Sequence, residues 1–265
     1  DAVKDTPVQL FRLDAAPGKL RQVTGAEPAR VARFISASRL VQPIKVGDAQ
    51  AKDAQTVRVG LARLGGQPVG IIANNPKHLG GAIDSDGSDK AARFMQLCDA
   101  FDIPLLYLCD TPGIMVGPEI EKTALVRHSA RLLSALANAT VPLMTVVLRT
   151  AYALGYYIMG SRPLHPAILL AWPTAEFGGM GLEGAASIIF KAELEAIADP
   201  GERAEAHRAY TEELKAYNTS LRVGERFGFD DVIDPVDTRR ILSATMDTFP
   251  APPQRTTKKL TIAPI

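Results

Sequence analysis

Val141-Pro-Leu-Met-Thr-Val-Val-Leu-Arg-Thr-Ala-Tyr-Ala-Leu-Gly-Tyr-Tyr-Ile-Met-Gly160 carries a strand into a helix, and its reading decides the fold class. Residues 141–148 form an uninterrupted apolar, β-branched run of strand length, the pattern of a strand covered on both faces. From Gly155 to Gly160 the chain reads as the first turns of a helix. Backbone N–H groups at such a junction lack intrahelical partners and sit at the positive end of the helix dipole. They can therefore hold a carbonyl oxygen that gains negative charge, with no reactive side chain required. The plainer alternative is an ordinary strand-to-helix connection packed by Tyr152 and Ile158.

Working outward, the same alternation recurs. Upstream, Val57 to Leu64 and Pro68 to Ala73 flank Gly65-Gly66, a two-residue hairpin turn. Asp84 to Ser88 carries helix-start signals, and the following segment to Phe101 places Ala91, Phe94, Leu97, Cys98 and Phe101 on one helical face. Ile103 to Cys109 predicts a short buried strand that runs into the turn Asp110-Thr-Pro-Gly113. Pro118-Glu119 then opens a helix with an apolar stripe up to Asn138. Downstream come a strand over 167–171, a glycine-rich loop from Trp172 to Gly184, and a helix from Ala185 to Ala198 stopped by Asp199-Pro200. A charged helix over Glu202 to Leu221 follows, and Asp234-Pro235 caps a last helix through Met246. Strands linked by crossover helices predict an α/β domain over residues 56–250 with right-handed connections. Residues 1–55, with a short helix over 28–40, read as an extension or linker, and residues 251–265 as a tail, either a surface strap or a frayed end.

The chain has 265 residues, 46% apolar and 22% charged, with a net charge of +1. That balance gives no electrostatic reason to expect nucleic acid or an anionic membrane as partner. Its apolar runs are too short to span a bilayer. Cys98 and Cys109 lie in apolar segments without CxxC spacing, which predicts buried reduced thiols in a reducing compartment, the cytoplasm or, in a eukaryote, the mitochondrial matrix. Histidines 78, 128, 165 and 207 are too scattered for a metal cluster, so no metal is expected. With Asp1 first and no methionine before Met95, the expectation is a segment of a longer polypeptide.

Several long runs keep a shared order and spacing: Leu97-Cys-Asp-Ala-Phe-Asp-Ile-Pro104, Asp110-Thr-Pro-Gly-Ile-Met-Val-Gly-Pro-Glu119, Arg149-Thr-Ala-Tyr-Ala-Leu-Gly155, Ala171-Trp-Pro-Thr-Ala-Glu-Phe-Gly-Gly-Met-Gly-Leu-Glu-Gly-Ala185 and Asp231-Val-Ile-Asp-Pro-Val-Asp-Thr-Arg239. Over residues 56–248 the chain resembles the carboxyltransferase component, beta-subunit type, of biotin-dependent acyl-CoA carboxylases. The resemblance implies a crotonase-like fold of repeated β-β-α units. It matches the C-terminal, biotin-facing one of two homologous domains, whose active site lies where the two meet across a dimer. Implied partners are the N-terminal carboxyltransferase domain or subunit, a biotin carboxyl carrier domain and a biotin carboxylase, in an oligomer. Biotin enters as carboxybiotin, and an acyl-CoA is the acceptor. The implied chemistry releases carbon dioxide from carboxybiotin, lets the remaining biotin take a proton beside the thioester, and joins the enolate to the carbon dioxide over backbone oxyanion holes.

Carried over by position, the resemblance places the oxyanion amides on Leu154 and Gly155, with Ala153 adjacent. Family members often have glycine at 153 or 154, and an alanine there is strained wherever φ must be positive. Tyr157 falls where relatives set acyl-chain selectivity, with Tyr152 beside it. Gly113 borders the expected biotin pocket, or else closes a rigid turn capped by Asp110. Gly178, Gly179 and Gly181 let the loop approach ligand closely or supply a second amide, or else serve close helix packing. Glu176 and Glu183 are candidates for the general acid or base of a biotin-independent crotonase-like hydrolase, decarboxylase or isomerase, the second reading. A third is a non-catalytic assembly subunit degenerated at Ala153-Leu154. His128 reads as packed or capping, and Arg127 and Arg149 as carboxylate or phosphate contacts or as structural ion pairs.

Overall fold

The chain turns back on itself at Gly65 (φ 58°) and Gly66 (φ 87°), two left-handed residues that only glycine adopts without cost. The turn sets strand β1 (Val57–Leu64) antiparallel to β2 (Gln67–Asn74), from Val57 opposite Asn74 to Leu64 opposite Gln67. This is a computed structural model, and it describes residues 54–251; the expectations for the extension up to residue 53 and for the tail from residue 252 lie outside the described residues. Helix α1 (Ser85–Ala100) is capped by Asp84, whose side chain accepts from the Gly87 amide at 2.8 Å, and it leads into β3 (Leu105–Thr111). A short α2 (Pro118–Glu121) and α3 (Leu125–Ala137) precede β4 (Leu143–Tyr152), and α4 (Ala153–Ile158) follows β4 without a break. Then come β5 (Ile168–Ala171), β6 (Glu176–Gly178), α5 (Leu182–Ile189), α6 (Lys191–Ala196), α7 (Pro200–Tyr217), α8 (Ser220–Gly224), β7 (Asp231–Val232) and α9 (Thr238–Asp247).

The sheet runs β1-β2-β3-β4-β5-β7, parallel from β2 onward, and β6 pairs with the far end of β4. Both faces are covered, so the central strands are apolar on each side. Leu105, Tyr107 and Cys109 of β3 join Phe94, Met95 and Leu132 of the helices on one face. Leu106 and Leu108 join Met144, Val146, Leu242 and Met246 on the other. The hairpin, helix and parallel strand make up the expected β-β-α unit.

Several expectations fail in instructive ways. Phe101 is no part of the buried helix face: it ends α1 as its C-cap and is 69% exposed. The third strand begins two residues later than predicted and continues through Asp110 and Thr111, which are strand residues rather than a turn. The helix expected over 118–138 is broken, because Ala124 takes a left-handed conformation (φ 56°, ψ 39°) between α2 and α3. The helix expected over 185–198 instead starts at Leu182 and breaks at Phe190, whose ring stacks on Tyr210 at 4.1 Å. The charged helix stops at Tyr217, and Leu221 belongs to the short α8.

Cys98 and Cys109 are free and buried, as their apolar surroundings predicted. Burial, with Asp99 beside it, pushes the Cys98 thiol up to about 12, and burial raises Cys109 well above its usual range. No helix of the described residues is long and apolar enough to cross a membrane, and no cluster of three or more His, Cys, Asp or Glu residues there is arranged to hold a metal.

Candidate functional site

The C-terminal ends of parallel strands are where open α/β sheets bind ligands. Here the ends of β3 and β4 meet, and three features of the sequence converge on them. Thr111, the last residue of β3, closes the turn that follows: its Oγ1 accepts from the Gly113 amide (3.1 Å) and donates to the Gly113 carbonyl (3.0 Å). The Ile83 amide holds that carbonyl as well, at 3.0 Å. Gly113 has φ 134°, a conformation open to glycine.

Against this turn lies the junction of β4 and α4. A Cβ at Gly155 would stand 2.6 Å from Gly113 Cα and 2.7 Å from its carbonyl carbon, so two backbones touch where no side chain fits. Tyr152 is the N-cap of α4 and supplies no side-chain cap, which leaves the first-turn amides without the partner that Ser, Thr or Asp would provide. Ala153 turns the chain from strand to helix at φ 51°. For an L-residue that conformation costs about 1–2 kcal/mol, a strain of the kind held at functional sites. Leu154 is 40% exposed and Gly155 is buried.

β4 also runs four residues past the expected end, and its polar extension has an identifiable cause. Asp110 is buried, its side chain 2% exposed. Its Oδ1 accepts from the Thr150 amide (3.2 Å), Thr150 Oγ1 (2.8 Å) and Arg149 Nε (3.1 Å). Its own amide donates to the buried Asn74 side chain at 3.0 Å. Asp110 therefore anchors β4 from inside the sheet and does not cap a turn. Nothing local in the sequence marks the reach of Asn74 to Asp110, 36 residues away.

On the other side, Thr150 to Tyr152 pair with Glu176 to Gly178 of β6. The Tyr152 hydroxyl donates to Glu176 Oε2 at 2.9 Å. Burial and that carboxylate raise the phenol well above its usual pKa, while the charge of Arg149 opposes the rise. Phe177 packs edge-on to Tyr156 of α4 at 5.6 Å and stacks on Phe229 at 5.2 Å, which fixes β6 behind the junction. Gly178 touches the Tyr152 ring: a Cβ there would lie 3.3 Å from Cδ1.

The structure thus brings together Gly113, Tyr152, Ala153, Leu154, Gly155 and Gly178. Tyr157 lies one turn along α4, 36% exposed. Gly179 and Gly181 differ: a Cβ at either meets nothing within 4 Å, so helix packing within the chain does not explain them. Glu176 is engaged by Tyr152, and Glu183 sits exposed in the first turn of α5. His128 is structural: its Nδ1 lies 2.8 Å from Asp89 Oδ2, while Arg131 holds Oδ1 at 2.7 Å, which ties α3 to α1. Arg127 is exposed and has no ion pair among the described residues.

Residues 39–259 match the carboxyl transferase domain family. The chain belongs to that family. It is 42% identical over 203 residues to the methylmalonyl-CoA carboxyltransferase 12S subunit of Propionibacterium freudenreichii subsp. shermanii, covering 76% of this chain and 38% of that protein. It is 44% identical over 194 residues to the propionyl-CoA carboxylase carboxyltransferase subunit of Haloferax mediterranei, covering 73% and 37%. A transcarboxylase 12S crystal structure, described as a hexamer assembly with substrate bound, superposes with a TM-score of 0.66 at 41% identity, covering 77% of this chain and 40% of that one. The beta subunit of Pseudomonas aeruginosa geranyl-CoA carboxylase gives 0.73 at 31% identity, covering 88% and 45%. The crotonase-like fold of these carboxyltransferases is the fold of this chain. The chain spans about two fifths of the length of the curated relatives it matches.

Proposed function

We propose that this carboxyl transferase domain is the biotin-facing half of an acyl-CoA carboxyltransferase and works with a second, acyl-CoA-binding half. The observation that carries the reading is the uncapped β4–α4 junction, closed against Gly113 so tightly that only backbone lines the contact. The amides of Leu154 and Gly155 would donate to the ureido oxygen of biotin, the exposed Leu154 side chain offers apolar surface beside them, and Tyr157, one turn on, would bear on the acyl chain. The fit is chemical: a ureido oxygen needs an N–H donor with no competing cap. Carboxybiotin would supply the carboxyl group. One preorganised backbone donor of this kind is worth about 3 kcal/mol in a transition state. Biotin, its carrier domain, a biotin carboxylase and an oligomeric assembly follow from this reading. Two buried free thiols accord with a reducing compartment, the cytoplasm or a mitochondrial matrix.

Assembled with the remainder of its carboxyltransferase, the chain is expected to decarboxylate malonyl-CoA only when free biotin is added. Biotin-independent turnover abolished by Glu176→Gln or Glu183→Gln would replace the proposal with a crotonase-like hydrolase or decarboxylase. The strain at Ala153 favours one other reading, an assembly subunit. A wild-type complex that is inert, and gains turnover on Ala153→Gly with Leu154→Gly, would establish that reading.

A further inference from the structure

Arg149 is an ion-pair partner used in an unusual way. An arginine that serves structure commonly faces a carboxylate with its planar fork and makes two parallel bonds. Here Asp110 takes only Nε, at 3.1 Å, and the two terminal nitrogens have no partner among the described residues. The two ends of the pair also differ in burial: the Asp110 side chain is 2% exposed and that of Arg149 48%. Asp110 cannot swing to follow the arginine, because the same Oδ1 holds the amide and hydroxyl of Thr150 while the Asp110 amide is held by Asn74. The guanidinium is therefore pinned at its base and open at its tip. Its position on β4 is four residues before Ala153, at the strand ends that carry the junction, and its charge reaches the Tyr152 phenol.

We propose that Arg149, positioned by Asp110, receives the carboxylate of the group in transit through its free terminal N–H groups. The inference rests on the carboxyltransferase reading and deepens it. A planar, permanently charged fork matches a carboxylate in shape as well as charge. The carboxylate has two sources, the carboxylated acyl-CoA and the carboxyl group on biotin. Asp110 touches neither and acts only by holding the arginine.

The test uses the chain assembled with the remainder of its carboxyltransferase and compares equilibrium binding of methylmalonyl-CoA with that of propionyl-CoA. Arg149→Ala leaves Asp110 buried without its counter-charge, which endangers folding. The informative variants are therefore Arg149→Lys and the double variant Arg149→Met with Asp110→Asn, which removes both charges together. Loss of a charge-assisted contact of this kind predicts about a tenfold to hundredfold weaker affinity for methylmalonyl-CoA in the double variant, with propionyl-CoA affinity unchanged and Arg149→Lys intermediate. Unchanged affinity for both thioesters, with formation of carboxybiocytin from methylmalonyl-CoA and biocytin reduced at least tenfold in the double variant and less in Arg149→Lys, assigns the contact to the carboxyl group on biotin. Equal weakening for both thioesters, or no change in affinity and none in carboxybiocytin formation, overturns the inference and leaves the carboxyltransferase reading standing. A wild-type complex that binds neither thioester overturns both.

Discussion

The two glycine-bearing segments at the C-terminal ends of β4 and β6 look alike in sequence and differ in physics. At the β4–α4 junction Gly155 is enclosed, its missing side chain replaced by the backbone of Gly113. In the loop beyond β6, Gly179 and Gly181 face open space, and neither has positive φ. Only the first segment uses glycine to bring two stretches of backbone into contact, so only the first defines a surface of fixed shape. Gly178, the last residue of β6, carries a milder constraint, from the Met180 carbonyl oxygen at 3.0 Å and the Tyr152 ring at 3.3 Å.

Substitution can break or sharpen that contrast. The largest effect is expected from Gly155→Ala, because a Cβ at 2.6 Å from Gly113 Cα and 2.9 Å from its carbonyl oxygen forces backbone apart. Chemical denaturation should register a loss of about 3 kcal/mol despite the better helix propensity of alanine, and any oxyanion-dependent turnover should fall at least a hundredfold. Stability within error of wild type would mean that the junction is soft and the contrast false. A smaller effect of opposite sign is expected at Ala153→Gly. Relief of the left-handed strain exceeds the added freedom of the unfolded chain, for a net gain of about 0.5–1 kcal/mol in the same assay. A loss there would show that the Ala153 methyl makes contacts that outweigh its strain. The smallest effect belongs to Gly179→Ala and Gly181→Ala, each expected within about 0.5 kcal/mol of wild type. A large loss at either would put the loop in the same class as the junction.

Much of the fold was legible because its signals are local. Gly65-Gly66 fixes the hairpin, Asp84 caps a helix through the amide three residues on, and the apolar runs mark strands covered on both faces. The breaks at Ala124 and Phe190 carry no glycine or proline, so nothing local announces them. The candidate site was legible in outline through its glycines and the family resemblance. Its anchors were hidden for a different reason. Arg149 and Thr150 look like the polar end of a strand, yet they extend it because a carboxylate 39 and 40 residues upstream takes their donors. Asn74 is invisible in the same way. Pairings across such separations follow from the assembled sheet and have no short-range pattern to betray them.

The sealed thiols have a practical consequence. The chain contains two cysteines, and both are enclosed, with their reactive thiolate forms suppressed. A cysteine introduced at Ile188, where the native side chain is 64% exposed on α5, would be the one position in the folded chain open to a maleimide dye. The native sequence thus arrives ready for single-site labelling, and a fluorophore on that ridge would report when another polypeptide settles over it.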